Sequence, residues 1–492
     1  MPKKYGHVAR LKGGLFMDDA LYITDPMALN SILIKQQNWF PESTEFAGLF
    51  GVIHCGDGVA SVQGREHKKQ RKYMNALFTA GRVSKLTPLF YQVTRQLQSK
   101  LTAAVAGKPP GQIVDMLDYL IRTSLEIVGT AGIGHTFNSF DDKSKTFEEF
   151  HAAITTVFPL GARLFLFLPF LESWRKMEPI WLRRTLAFIV SIFWPTVAKF
   201  RAAIYVMRSV YLMLYKARKK VFEEGGSTAL AETPAGGRDL MSSMIQANWE
   251  ADETNKMPDD VVLANLSSIV HGGQETTSSF LARFLSILSE HSDIQQKLRA
   301  ELQEANAASH FQPEDLDYVE IERLPLLDAV VREMLRVYPP VTFVWRQTTK
   351  DIPVPLTYPI QSAATGEKIK ELLIEQGTAV YLGLGAANRS TAIWGPDAAE
   401  FKPERWLNPA KPESKLPGAY SGMMTFLSGG RVCPGRIFAL LEIKLILSVL
   451  LLTFSFDPIS EPIDWQMGLA IEPRVRGREK EGIQVPIRVT IL

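Results

Sequence analysis

From about residue 64 to residue 345 the chain is patterned for helices almost without interruption, and this run fills more than half of its 492 residues. Nothing else in the sequence narrows the fold so far. Apolar periodicity and end signals predict helices over 64–78, 81–106, 115–130, 145–157, 176–222, 258–290 and 292–307, with a break at Pro195. A last, strongly apolar helix is predicted over 435–453. Strand patterning is confined to other places. His7–Leu11 and Leu21–Thr24 read as a hairpin around Gly13-Gly14, followed by a helix that Asp25-Pro26 starts. Short β-type runs such as Ala379–Leu382 return between 341 and 385, and Ile483–Val489 closes the chain. Glu224–Gly237 reads as a flexible loop by composition. The expected fold is mainly α, with a small sheet built from both chain ends. It forms one integrated domain over 1–492: a β-rich lobe (1–63, 341–385, 455–492) and a helical lobe (64–340, 386–454).

Charge and cysteine content remove several function classes. With 55 Lys+Arg against 52 Asp+Glu the net charge is +3, so no global field favours nucleic acid, and none is expected as a partner. Two cysteines, Cys55 and Cys433, exclude a disulfide scaffold and a four-cysteine zinc site. No apolar run reaches the roughly 20 residues of a membrane span. Two shorter runs stand out, Leu164–Leu171 and Leu186–Trp194, and Arg183, Arg184 and Lys199 flank the second. Buried core and a surface that dips into a bilayer are both open readings of these runs.

A lone cysteine is ordinarily an inert small hydrophobe, and Cys55 is read so. Cys433 is different because of its neighbours, Phe426-Leu427-Ser428-Gly429-Gly430-Arg431-Val432-Cys433-Pro434-Gly435. Three glycines and a proline let the backbone turn tightly and aim N–H groups at a sulfur. A helix begins just beyond, and its N-terminus favours a thiolate. A single thiolate with no other ligand nearby suits a metal held by a macrocycle, which means heme. The segment resembles the cysteine-ligand loop of the cytochrome P450 family, F-x-x-G-x-R-x-C-x-G, at Phe426, Gly429, Arg431, Cys433 and Gly435.

Four further segments extend the resemblance. Glu333 and Arg336 share a helix face, and Phe401–Trp406 resembles the segment that supplies a third member, Arg405. The resemblance implies a buried structural triad of Glu333, Arg336 and Arg405. Gly272-Gly273-Gln274-Glu275-Thr276-Thr277 breaks an apolar helix with two glycines, which suggests a local distortion or a closely approaching ligand. It resembles the oxygen-binding segment, which makes Glu275 and Thr276 the acid–alcohol pair that passes protons to dioxygen. His271, bulky and polar beside Gly272, is a departure that narrows the pocket or binds a substrate oxygen. In Gly64–Lys72, His67 and Arg71 share one helical face, and Arg65, Lys68, Lys69 and Lys72 another. By resemblance the first face holds heme propionates and the second docks a reductase; alone, the basic face reads as solvated. Trp345-Arg346 resembles the strand whose arginine reaches a propionate, with Arg431 as its companion and Val341, Thr342, Phe343 and Val344 lining the substrate side.

The resemblance covers essentially the whole chain and is closest to eukaryotic microsomal members of fungal type. It implies a heme b monooxygenase that hydroxylates a lipophilic substrate: a sterol or triterpenoid, a fatty acid or an aromatic xenobiotic. Dioxygen is the co-substrate. Electrons come from NADPH through a flavoprotein cytochrome P450 reductase, with cytochrome b5 as a second donor. It also implies the endoplasmic reticulum membrane, cytosolic face. Such members begin with an anchoring helix that this sequence does not show, which leaves a trimmed chain or a soluble, cytoplasmic protein as expectations. Two other classes stay open: a heme-thiolate enzyme without a reductase (peroxygenase, peroxide isomerase or dehydratase) and a non-catalytic heme-binding protein.

Overall fold

The computed structural model describes residues 6–13, 18–141, 143–164, 167–233, 235–309, 315–362, 365–407, 416–467 and 471–492. Gly14 of the expected hairpin turn and Phe165-Leu166 of the first apolar run lie outside them. Five helices carry most of the residues discussed below: α1 (Gly64–Leu77), α2 (Ile180–Phe193), α3 (Asp259–Ser289), α4 (Pro325–Val337) and α5 (Arg436–Thr453).

The chain divides into two compact units. The first comprises Met1–Ser43, Ser279–Arg436 and Phe454–Val489. The second comprises Thr44–Ser278, Ile437–Thr453 and Thr490–Leu492.

In the first unit the hairpin β1 (Val8–Leu11) and β2 (Ala20–Ile23) joins β3 (Val344–Gln347) and β4 (Ala379–Leu382) in a sheet ordered β1-β2-β4-β3. The β2–β4 pairing is parallel, with Ala20 opposite Ala379 and Ile23 opposite Leu382. Asp25 caps the helix that follows β2 by accepting from the amides of Met27 and Ala28. Under the sheet Ile23, Leu29, Ile32, Leu33, Val380 and Leu382 form a closed apolar core. The C-terminal strands do not join this sheet. Ile463–Met467 pairs with Ile471–Val475. The β-structure is therefore several small sheets rather than one.

The second unit is built mainly from helices. Its interior is aromatic in places: Phe137 stacks on Phe150 at 4.6 Å, and Phe90 meets Phe438 edge-on at 4.7 Å. Two expectations change here. The composition-based loop at Glu224–Gly237 is helical as far as Ala231, because one residue absorbs the irregularity: Gly226 takes φ 64°, ψ −152° and kinks the Pro195–Ala231 helix. The glycine pair in α3 causes no break, and the helix runs continuously from Asp259 to Ser289.

Candidate functional site

The cysteine loop lies in the first unit. A short turn at Met424–Phe426 hands over to Leu427 at φ 58° and Gly429 at φ 66°. These two left-handed residues fold the chain back so that the Cys433 amide donates to the Phe426 carbonyl at 2.9 Å. A Cβ on Gly429 would run into the Leu33 carbonyl, so glycine is required twice over, by conformation and by space. The Gly430 amide donates to Gln37 Oε1 at 2.8 Å and ties the loop to the N-terminal segment. Phe426 is buried, with its ring 5.8 Å from Tyr420. Gly435 completes the turn into α5, which begins at Arg436. Cys433 is half-buried and makes no disulfide.

Beside this loop the two arginines singled out as carboxylate partners converge on one acid. Arg431 Nη2 is 2.7 Å from Glu42 and Arg346 Nη2 is 3.3 Å from it. Glu42 and Arg346 are both buried. Burial lowers the Arg346 guanidinium from its ordinary value, and the Glu42 charge works in the opposite sense. Glu42 was invisible to sequence reasoning; it lies 304 residues from Arg346 and 389 from Arg431, and no spacing rule joins them. The donor set fits heme. One thiol stands in a loop of backbone amides, two guanidiniums can grip carboxylates, and among the described residues no cluster of three His, Cys, Asp or Glu could hold a metal ion without a macrocycle. Val341, Thr342, Phe343 and Val344 lead into and begin β3; all are half-buried, and the Phe343 ring is 5.7 Å from Tyr381.

The structure brings Glu333, Arg336 and Arg405 together in the same unit. Glu333 and Arg336 on α4 are fully buried. The carboxylate accepts from Arg336 Nε at 2.8 Å and Nη2 at 2.7 Å, from Trp406 Nε1 at 2.8 Å and from the Lys402 amide at 3.1 Å. Arg405 Nε lies 3.5 Å away, and Arg405 Nη2 pairs with Asp397 at 3.0 Å. Arg336 gives its remaining protons to the carbonyls of Asn388, Ala398 and Glu400. Such full pairing is what a buried ionic group requires.

In the second unit, α1 has the two faces read from its spacing. His67 and Arg71 are buried, and Arg65, Lys68 and Lys72 are exposed. Lys69 departs from the expectation. Its ammonium donates to the carbonyls of Thr254 at 3.0 Å and Lys256 at 3.1 Å, so it ties down a loop instead of facing solvent freely. On α3 the two glycines differ. A Cβ on Gly273 would press on Val128 Cγ2 at 2.8 Å, whereas a Cβ on Gly272 would meet nothing within 4 Å. Gly273 thus serves packing and Gly272 leaves open space. Thr276 is bonded back to the Gly272 carbonyl at 2.7 Å. His271 is buried, and burial lowers its imidazole to about 4. Sequence reasoning missed its neighbour His54, whose ring lies 5.1 Å away.

Helix α2 carries most of the Leu186–Trp194 run on its exposed surface. Phe188, Ile189, Val190, Ile192 and Phe193 are exposed, as are Ile180 and Trp181. Core burial is therefore not what the run serves. Among the described residues no single helix is long and apolar enough to cross a membrane.

Comparison with known proteins agrees with this geometry. Residues 1–474 match the family model described as Cytochrome P450. Cytochrome P450 monooxygenase 91 of Postia placenta is 36% identical over 99% of this chain and 88% of its own length. Cytochrome P450 monooxygenase 212 of the same fungus is 34% identical over 99% and 87%. The ganoderic acid synthetase CYP5150L8 of Ganoderma lucidum is 33% identical over 95% of this chain and 85% of its own.

Proposed function

This chain belongs to the cytochrome P450 family, its monooxygenases included, and from that premise we propose that it hydroxylates a lipophilic small molecule with electrons passed from NADPH by a flavoprotein reductase. The observation that carries the reading is the Cys433 loop, whose left-handed turn and backbone tie hold a lone thiol at the mouth of α5. Heme b, when bound, would supply the iron chemistry that activates dioxygen, and the Cys433 thiolate would hold it. Arg346 and Arg431 would hold its propionates, a role their convergence on the Glu42 carboxylate supports. Phe426, Gly429 and Gly435 shape the loop. His67 and Arg71 are assigned to the propionates by sequence resemblance alone.

The remaining roles belong to side chains. Glu275 and Thr276 supply protons to the reaction, and Thr276 must turn its hydroxyl from the Gly272 carbonyl to do so. Val341, Thr342, Phe343, Val344, Gly272 and His271 are proposed to contact substrate, which is a sterol or triterpenoid, a fatty acid or an aromatic compound. Arg65, Lys68 and Lys72 are proposed to receive an acidic reductase surface, or cytochrome b5. The exposed apolar residues of α2, with Arg184 and Lys199 also exposed close by, support seating on the cytosolic face of the endoplasmic reticulum.

The test is spectroscopic and chemical together. The reduced carbon monoxide complex should show the strongly red-shifted Soret band of thiolate ligation, and Cys433→His should lose that band while keeping some heme. Reductase, NADPH and substrate should then give hydroxylated product. A Cys433→His protein that keeps the band refutes the ligand assignment. Turnover that ignores NADPH and reductase refutes the electron route.

A further inference from the structure

Two imidazoles in the second unit are only partly used by the reading above. His54 follows the Thr44–Ile53 helix, His271 lies on α3, and they are 3% and 5% exposed. Their rings are 5.1 Å apart. Phe50 meets His54 edge-on at 5.5 Å, and Phe158 meets His271 in the same way at 5.5 Å, so each ring has an aromatic flank.

Hydrogen bonding fixes which nitrogen of His271 carries the proton and is compatible with the same tautomer of His54. His271 Nδ1 lies 3.0 Å from the Ser267 carbonyl. A carbonyl only accepts, so Nδ1 must donate. His54 Nδ1 lies 2.9 Å from Ser268 Oγ, and that hydroxyl gives its one proton to the Ala264 carbonyl at 2.9 Å. With its proton placed there, the hydroxyl accepts from His54, whose Nδ1 then also carries the hydrogen. Each Nε2 is left with a lone pair. Protonation does not remove it at neutral pH, because burial lowers His271 to about 4 and lowers His54 well below its ordinary value, with the neighbouring ring adding to the effect. Among the described residues neither Nε2 has a hydrogen-bond partner. Two adjacent buried acceptors without a donor are unfavourable, and a donor carried in by a ligand would relieve that cost.

The geometry points to a hydroxyl-recognition site, in which the His54–His271 pair accepts a hydrogen bond from an alcohol or phenol group of the lipophilic substrate. This deepens the monooxygenase reading and rests on it. Ethers, ketones and ionised carboxylates bring only lone pairs, so the pair discriminates against them, and a plain hydrocarbon leaves both nitrogens unsatisfied. Space is available on either side. Gly272, next to His271, borders a volume empty to 4 Å, and a small cleft lined by Ile53, His54, Met207, Tyr211 and Ser267 reaches the other ring.

Spectral titration of the heme-loaded full chain tests this with three alcohols of different shape, cholesterol, 1-dodecanol and 4-hexylphenol, each against its methyl ether. The ether keeps the oxygen and loses the donor. At least one alcohol should bind about tenfold more tightly than its ether, the factor one good hydrogen bond to a buried acceptor is worth. His54→Phe and His271→Phe should shrink that preference to within about twofold. Ser268→Ala, which keeps both rings but releases His54 Nδ1, should reduce it partway, and this small change guards against misfolding of the phenylalanine variants. No alcohol preference in the wild type overturns the proposal, as a resident water donating to both nitrogens would produce. A preference unchanged in Ser268→Ala, or surviving both phenylalanine variants, overturns it too. An intact red-shifted band with no preference sinks the histidine pair alone, whereas a wild type without the band sinks the monooxygenase reading.

Discussion

Replacing Glu333 with alanine should unfold or strip the protein of heme, not slow a chemical step. Glu333 has no solvent exposure and accepts from Arg336 twice, at 2.7 and 2.8 Å, from Trp406 at 2.8 Å and from the Lys402 amide at 3.1 Å. Arg336 is equally buried, and its other protons go to uncharged carbonyls. The alanine variant therefore strands a buried guanidinium, at a cost of roughly 3–5 kcal/mol. Trp406 and Lys402 lose their acceptor as well, but these losses do not add in full, since groups in one network couple. Against a typical stability of about 5–15 kcal/mol, this is a large fraction. The assay is soluble yield, heme per polypeptide and the thermal midpoint of the Soret band. Glu333→Gln keeps an acceptor for Trp406 and removes the charge, so it should fall between wild type and Glu333→Ala. A Glu333→Ala protein with wild-type heme content and midpoint but no product would refute the reasoning and move this carboxylate into the chemistry.

Four shorter tests follow. Burial pushes Glu442 on α5 up to about 8 from 4.5, with Ser124 working weakly the other way. The folded state thus holds a proton that the unfolded state releases, and stability should fall as pH rises from 4.5 through 8, by up to about 1.4 kcal/mol per unit. Glu442→Gln should remove that slope in urea titrations at several pH values; a difference from wild type that stays constant over this window would show an ionised side chain. His271 has the opposite sign: its lowered imidazole should weaken the fold as pH drops from 6.5 towards 4, and His271→Phe should flatten the acid limb. Gly273→Ala should destabilise by about 1–3 kcal/mol through overpacking on Val128, while Gly272→Ala should stabilise the helix by up to about 1 kcal/mol; equal thermal shifts would contradict the assignment. Lys68→Glu with Lys72→Glu should slow reduction by the reductase and flatten its salt dependence, given a Debye length of about 8 Å, yet spare peroxide-driven turnover. Loss of both activities would make these lysines structural.

The elements that sequence displayed best are those fixed by local rules. Helix α1 was legible because a polar chain carrying a 3.6-residue repeat must bury His67 and Arg71 on one side. The Asp25-Pro26 start was legible because a side-chain oxygen and a missing amide proton both suit a first turn. The Cys433 loop was legible because its glycines answer to conformation, and Gly429 does take φ 66°. The failures share a cause as well. Composition cannot say that Gly226 alone absorbs the irregularity of a long helix. It cannot say that Gly273 is there for Val128. Lys69 looked like its neighbours until the Thr254 and Lys256 carbonyls were found beside it. Gly273 and Lys69 are decided by groups distant in sequence, as are Glu42 beside Arg431 and His54 beside His271.

Helix α3 shows why polar residues in a helix are hard to weigh from sequence. Ser268, Thr276 and Ser278 each donate to the carbonyl four residues back, at 2.9, 2.7 and 2.8 Å. His271 Nδ1 does the same at 3.0 Å. A hydroxyl bonded in this way has spent its one proton and can only accept, so a threonine that passes protons must first break a bond to its own helix. Histidine has a second nitrogen on the far side of the ring. The same local bond that quiets a serine therefore defines the tautomer of His271 and leaves its outer nitrogen with a lone pair. Back-bonding thus satisfies these hydroxyls of α3 and orients His271.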